Sequence, residues 1–281
     1  MSAPAIHRTV ADFRAACDAA RASGARLGFV PTMGALHAGH LHLVRVARRY
    51  AERVAVSIFV NPTQFGPNED FSRYPRNLER DVELLAGAGA DLVLAPSADE
   101  IYPKGDKTRV RVSGLSEHLC GPFRPGHFEG VATVVTKLFA IAGPCTAVFG
   151  RKDYQQLKII ERLARDLLMP VSVVGEPTVR DADGLALSSR NAYLSPAERK
   201  VAPKLFAVLN EAATGIRGQL VPLDVLVAAT RALEESGFRV DYVELRNATT
   251  LAPVADVGAE PLRLLAAAWL GKTRLIDNIP L

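Results

Sequence analysis

The sequence predicts an α/β protein: a doubly wound parallel sheet over residues 1–180, followed by a smaller α+β domain over residues 181–281. Three observations carry this. Short apolar, β-branched runs alternate with stretches of helical periodicity and are joined by brief Gly- or Pro-bearing turns, the rhythm of a parallel sheet covered on both faces. Beyond residue 191 that rhythm gives way to two helices and then two strands. A chain of 281 residues is long for one ordinary domain and short for three.

Composition narrows the class. A hydrophobic fraction of 48% supports a sizeable core, and 23% charged residues with a net charge of +4 describe neither a supercharged nor a disordered chain. A pI near 9.0 suits an anionic ligand. No dense basic stripe is interleaved with aromatics, which argues against a nucleic-acid-binding module. Cys17, Cys120 and Cys145 are odd in number and far apart, so neither a disulfide framework nor a zinc ribbon is expected. No long apolar span and no signal-peptide core stand out, so the expectation is a cytoplasmic protein without a membrane partner.

In chain order, Thr9-Val-Ala-Asp12 resembles a capping box, and Phe13, Cys17 and Ala20 then share a helical face that stops at Gly24. Leu27 to Val30 reads as a buried strand. Pro31, Gly34 and Gly39 bend the chain sharply before Leu41 to Tyr50 resumes helical spacing. Arg53 to Val60 is a strand that opens into a long loop, Asn61 to Arg76. Its apolar run, Val54 to Phe59, is a candidate edge for a second copy of the chain. Leu78, Val82 and Leu85 stripe the next helix, and Ala90 to Ala95 supplies a strand.

Val110-Arg-Val112 alternates like an extra strand or hairpin, and Cys120 to Gly130 is a second Gly- and Pro-rich loop before a helix over Val131 to Ile141. Ala147 to Phe149 is a strand running into the turn Gly150 to Gln156 and a helix to about Leu168. Val171 to Val174 follows as a strand. Gly184 to Asn191 reads as the junction between domains. Ser195-Pro-Ala-Glu198 is a capping box with Pro at the first helical position, opening a helix to about Arg217. A helix over Leu223 to Ser236 and strands over Asp241 to Leu245 and Leu262 to Ala268 complete the small domain.

Chemistry-bearing residues gather at the strand-to-helix turns, the edge where open α/β sheets bind ligands. The first such turn holds His37 and His40 in the pattern His-x-Gly-His at a helix N-terminus, whose free N–H groups and positive dipole end attract phosphate. An imidazole donates to phosphoryl oxygens and is cationic once protonated. Two readings compete with this: the histidines only cap and pack the turn, or they bind zinc, for which the acidic partner of His-Glu-x-x-His is missing and no cysteine lies near. A second turn carries Lys152 and Asp153, suited to a phosphate and a ribose or base. A third cluster is Ser188, Ser189 and Arg190. Asn61, Gln64 and Gln156 are neutral amides that can grip a hydroxyl or carboxylate without quenching its charge.

Six segments, Pro31-Thr-Met-Gly-Ala-Leu-His-Ala-Gly-His40, Phe59-Val-Asn-Pro-Thr-Gln-Phe65, Arg124-Pro-Gly-His-Phe-Glu-Gly130, Lys152-Asp-Tyr-Gln-Gln156, Asp183-Gly-Leu-Ala-Leu-Ser-Ser-Arg-Asn191 and Arg274-Leu-Ile-Asp-Asn278, together resemble the signature of the pantothenate synthetase family. They occur in family order across nearly the whole chain. The resemblance implies a Rossmann-like fold of the nucleotidyltransferase and class I aminoacyl-tRNA synthetase superfamily. It implies an ATP-dependent ligase that joins (R)-pantoate and β-alanine through pantoyl adenylate, with Mg²⁺ and as a homodimer.

By that resemblance Met33, Gly34, Ala35, Leu36, His37, Ala38, Gly39, His40, Gly150, Arg151, Lys152, Asp153, Val179, Leu187, Ser188, Ser189 and Arg190 contact ATP. His40, His37 and Lys152 are then the catalytic residues. Gln64, Gln156 and Asn61 hold pantoate and β-alanine, and Asp81 is a metal-side residue. Ala38, Arg151 and Leu187 depart from the family pattern, where an acid, Glu and Met are common; Arg151 puts a side-chain role at that position in doubt but not a backbone one. The alternative reading is a nucleotidyltransferase acting on a phosphorylated acceptor, which would be expected to carry cations where Gln64 and Gln156 stand.

Overall fold

The computed structural model describes residues 3–67, 69–254, 258 and 260–281. The larger sheet comprises β1 (Ala5–His7), β2 (Leu27–Thr32), β3 (Arg53–Ile58), β4 (Leu92–Leu94), β5 (Cys145–Gly150) and β6 (Val171–Glu176), in the spatial order β1-β4-β3-β2-β5-β6. All of its pairings are parallel. The strands alternate between two apolar layers, as a sheet buried on both faces requires. Leu27, Phe29, Ala55, Ala147 and Phe149 face one core with α1 (Val10–Ala22), α6 (His127–Ala142) and α7 (Tyr154–Asp166). Val30, Val54, Val56 and Val148 face the other with α2 (Ala38–Tyr50) and α3 (Leu78–Ala88).

The strand order places the functional edge. From β2 the chain winds outward through β3 and β4, then crosses back to lay β5 on the other side of β2. The turns leaving β2 and β5 therefore diverge and open a crevice at the topological switch point. The His-x-Gly-His turn follows β2 and the Lys152 turn follows β5.

The second sheet is antiparallel, β7 (Arg239–Asn247), β8 (Leu262–Leu270) and β9 (Thr273–Pro280) in that order. Its central strand is covered on both sides. Leu262, Leu264, Ala266, Ala268 and Leu270 pack with α9 (Lys204–Arg217) and α10 (Pro222–Glu235), whereas Leu265 and Ala267 join the core of the larger sheet. That two-sided burial ties the antiparallel sheet to the core of the larger one.

Several expectations need correction. Val54 to Phe59 is no edge: β3 lies between β4 and β2. Val110 to Val112 forms no strand, because the Val110 N–H is spent on the Thr133 hydroxyl (2.9 Å) while both valines pack against the core. The helix expected from Ser195 to Arg217 is two helices, α8 (Pro196–Val201) and α9, broken at Pro203, which has no N–H to continue the ladder. The loop at Cys120 to Gly130 contains the short α5 (Cys120–Phe123) and the first turn of α6. Strands β1 and β9 and the short α4 (Ala98–Ile101) escaped the sequence reading.

Candidate active site

The turn between β2 and α2 is shaped from behind. Gly34 takes φ +79 and Ala35 φ +51. A Cβ on Gly34 would lie 2.9 Å from Asp81 Oδ2, so only glycine fits. The buried Asp81 carboxylate accepts the N–H groups of Ala35 and Leu36, each at 2.9 Å. Asp81 is thus a brace under the turn rather than a ligand at the cleft, and both its oxygens are engaged. Burial pushes its pKa up, and the two backbone donors offset this only in part.

His37 caps α2, its Nδ1 accepting the Gly39 N–H at 3.2 Å, while His40 Nδ1 accepts the His37 N–H at 3.4 Å. The two rings stack with centroids 4.0 Å apart. A ring nitrogen that accepts a backbone N–H carries no proton of its own. Each imidazole is therefore held as the Nε2–H tautomer, a neutral donor at its outer edge. Burial lowers the His37 pKa to about 4 with Lys152 adding to the effect, and burial lowers that of His40 to about 3 with His37 adding. Of the two states open to an imidazole, neutral donor or cation, the burial of these rings favours the neutral one.

Both rings line a cleft of about 220 Å³. Met33, Gly39, Gly150, Lys152, Asp153, Val179, Leu187, Ser188, Ser189, Arg190, Asn61, Gln64 and Gln156 also reach it. Gly34, Ala35, Leu36, Ala38 and Asp81 do not line it; the first three form the braced turn behind the histidines. Arg151 does not line it either, since its side chain turns out to β6, donating from Nε to Gly175 O at 2.8 Å.

Asn61 organises the amide end. Its Nδ2 donates to Gln64 Oε1 and to Gly130 O, both at 3.1 Å, and its Oδ1 accepts from Thr63 and from the Tyr102 hydroxyl at 2.8 Å. Gln64 Nε2 donates to Met33 Sδ at 2.7 Å. Gln64 is thereby held in one orientation, with one N–H and one lone pair left for a ligand. Beside it, Val131, Val134, Val135 and Leu138 of α6 form an apolar wall. The sequence reading gave that stretch as a helix without assigning it to the site.

The loop after β3, of which residue 68 lies outside the described residues, is tied down at two points. Arg124 grips Glu69 through Nε (2.7 Å) and Nη2 (2.6 Å) and meets His127 Nε2 at 2.9 Å, and His127 Nδ1 lies 2.8 Å from Gln64 O. Arg190 grips Asp70 through Nε (3.0 Å) and Nη2 (2.9 Å). Burial alone would raise the Asp70 pKa, but the hydrogen bonds and charge of Arg190 outweigh it. Ser189 donates to Ala35 O at 3.1 Å, and Leu187 N–H donates to Val179 O at 3.0 Å. The Ser188–Arg190 segment, the long loop and the His-x-Gly-His turn thus enclose one space. Glu69 and Asp70 were missed as parts of this frame, and Tyr74 as a lining residue of the cleft, because nothing local to them in the sequence announces partners in distant segments.

Comparison with known proteins agrees with this geometry. The family described as pantoate-beta-alanine ligase matches residues 5–280. The chain is 55% identical over 277 residues to a pantothenate synthetase of Stutzerimonas stutzeri, covering 98% of this chain and 96% of that one. It is also 55% identical to a pantothenate synthetase of Paramagnetospirillum magneticum, covering 98% of each. A crystal structure of pantothenate synthetase from Thermus thermophilus superposes with a TM-score of 0.91 at 49% identity over 98% of both chains. A pantoate-beta-alanine ligase from Francisella tularensis, complexed with beta-gamma ATP and beta-alanine, gives 0.84 at 34% identity over 99% of this chain and 98% of that one. With a switch-point cleft built around His-x-Gly-His and matches that run from end to end, the chain belongs to the pantoate–β-alanine ligase family.

Proposed function

We propose that this chain is an ATP-dependent ligase that joins (R)-pantoate to β-alanine through pantoyl adenylate. A pantoate carboxylate oxygen attacks the α-phosphorus of ATP, forming the acyl–phosphate bond and releasing pyrophosphate. The β-alanine amine then attacks the acyl carbon, a C–N bond forms, the C–O bond to AMP breaks, and the amine gives up its proton.

The observation that carries this reading is the pairing of neutral donors with neutral amides. His37 and His40 offer Nε2–H groups to phosphoryl oxygens at the N-terminus of α2, and Lys152 supplies positive charge from the facing turn. Gln64 and Gln156 grip pantoate against the apolar wall of α6 without neutralising its carboxylate, and Asn61 acts by holding Gln64. Cationic side chains in those two places would favour the alternative, a phosphorylated acceptor. Gly150, Asp153, Val179, Leu187 and Ser188 to Arg190 complete the nucleotide's surroundings. Residues 1–180 then bind ATP and pantoate, and residues 181–281 close over the nucleotide.

Magnesium fits as a companion of the phosphates, whose charge it would offset. Among the described residues no three His, Cys, Asp or Glu side chains converge, so phosphate and water oxygens would be its main ligands, with Asp153 the carboxylate that lines the cleft. A homodimer belongs to the same reading: β6 is an edge strand, and Leu167 and Leu168 near it are 49% and 89% exposed. No described helix is long and apolar enough to cross a membrane, and the three cysteines are unpaired, which is compatible with a cytoplasmic enzyme.

The test is exchange of labelled pyrophosphate into ATP. Exchange should require pantoate and proceed without β-alanine, and AMP should accumulate only when β-alanine is added. No exchange at enzyme concentrations that support full turnover would point to a concerted reaction instead.

A further inference from the structure

The segment Arg274 to Asn278 carries no role in the chemistry above, yet its last residue reaches the catalytic edge. Asn278 lies on β9, the edge strand of the small sheet that is turned toward the large domain, and it is 3% exposed. Its Nδ2 donates to two successive carbonyls, Arg151 O at 2.9 Å and Lys152 O at 2.8 Å. Its Oδ1 accepts from Arg263 Nε at 2.6 Å, which fixes which end of the amide faces the carbonyls. Arg263 is itself seated 3.8 Å over the Tyr154 ring. The neighbouring Asp277 takes both Nη atoms of Arg180, at 2.6 and 2.8 Å, and also accepts the Asn278 N–H at 2.7 Å.

The arrangement is specific to the Lys152 turn. Residues Arg151–Asp153 form a 3-10 turn between β5 and α7. Carbonyl groups at such a turn need partners, and one buried primary amide supplies two donors at once. Those two bonds set the direction of the backbone from which the Lys152 side chain leaves for the cleft. They come from a strand more than a hundred residues later in the chain.

We propose that Asn278 is a positioning residue for Lys152, so that the small domain aims the catalytic cation as well as closing the site. This rests on the reading of Lys152 as a phosphate-directed residue. Asn278→Asp is the sharpest perturbation: it keeps the shape and the acceptor for Arg263, but turns a second oxygen against two carbonyls. Lys152 should swing off its line, and displacements of about 1 Å at a reacting centre cost on the order of a hundredfold.

The experiment is a double-mutant cycle in the full chain, read by pyrophosphate exchange at saturating ATP and pantoate, with melting temperature followed in parallel. Asn278→Asp should lower kcat of exchange by roughly tenfold to a hundredfold in the native background. In a Lys152→Ala background, assayed at raised enzyme concentration, the same change should cost less than about twofold, since the group being aimed is gone. Asn278→Ser, whose hydroxyl is too short to span both carbonyls, is carried through the same cycle in case the aspartate variant does not fold. An equal cost in both backgrounds, a native rate for folded Asn278→Asp, or failure of both variants to fold would each overturn the proposal. A Lys152→Ala chain that exchanges at the native rate would overturn the reading of the site itself, and the proposal with it.

Discussion

Replacing Gly39 by alanine should separate activity from stability in this fold. Gly39 sits in the first turn of α2, where its backbone is helical, so alanine meets no left-handed strain. A Cβ there would lie 3.0 Å from both Nδ1 and Cε1 of the His37 ring, nearer than atoms in contact settle. The ring has to give by a few tenths of an ångström, and it is already stacked on His40. Its capping bond from the Gly39 N–H is 3.2 Å, at the long end of the range, and does not survive the shift. Loss of the cap costs about 1 kcal/mol, while a glycine-to-alanine change within a helix returns up to about 1 kcal/mol. The melting temperature should therefore move by no more than about 4 °C. Adenylation should fall much further. With its Nδ1 partner gone, His37 no longer has one enforced tautomer, and losing an oriented transition-state donor outright costs roughly a hundredfold or more. We expect pyrophosphate exchange to drop between roughly tenfold and a hundredfold. Exchange within twofold of native in a folded Gly39→Ala chain would refute the argument that the capped imidazole is the phosphate donor.

Three further outcomes follow from the same geometry. Asp81→Asn presents an NH₂ group to one of the two N–H donors it now accepts, so the variant should lose about 1–3 kcal/mol of stability and show a raised KM for ATP; unchanged values of both would remove Asp81 from the turn's support. Arg190→Ala should lower ATP affinity and adenylation while sparing β-alanine capture of preformed pantoyl adenylate; equal losses in both half-reactions with a lowered melting temperature would make Arg190 a packing residue of the junction. His37, His40 and His127 have folded pKa values of about 4, 3 and 3, below the ordinary 6.5. The unfolded chain binds protons first as pH falls below about 6.5, so stability should decline from there to about pH 4 for the His37 contribution and about pH 3 for those of His40 and His127, by at most about 1.4 kcal/mol per pH unit for each histidine, and a flat denaturation midpoint across that window would contradict their neutral state.

Legibility followed the range of the forces involved. The β2 turn was readable because its signals are local: an apolar run, two glycines and two histidines within a short span. The alternation of strands and helices was readable because burial on both faces leaves continuous apolar runs. β9 was not, because Arg274, Asp277 and Asn278 interrupt it, and each finds its partner on another element. Asp81 illustrates the same limit. The resemblance placed Asp81 beside a metal, whereas its oxygens turn to the Ala35 and Leu36 N–H groups and the residue lies outside the cleft lining. The pairing of Arg190 with Asp70, 120 residues away, was equally out of reach of the sequence. The charge state of the histidines depends on which nitrogen accepts a backbone N–H, which composition and spacing do not encode.

That charge state bears on why the site suits a carboxylate nucleophile. A carboxylate must approach a polyphosphate that repels it, which argues for positive charge nearby. A cation paired directly with the carboxylate, however, would stabilise the nucleophile's ground state and blunt its attack. The cleft resolves the conflict by location. Lys152 stands on the β5 turn, and Arg190 is half-spent on Asp70. The histidines of the β2 turn present neutral Nε2–H donors, and α6 lines the cleft with Val131, Val134, Val135 and Leu138 near the amides of Asn61, Gln64 and Gln156. Neutral donors also stay in place once pyrophosphate departs and the negative charge at the site falls, whereas imidazolium ions would be left unpaired in a buried turn. In the reaction proposed above, the burial that lowers the two histidine pKa values would keep the same neutral donors available to both half-reactions.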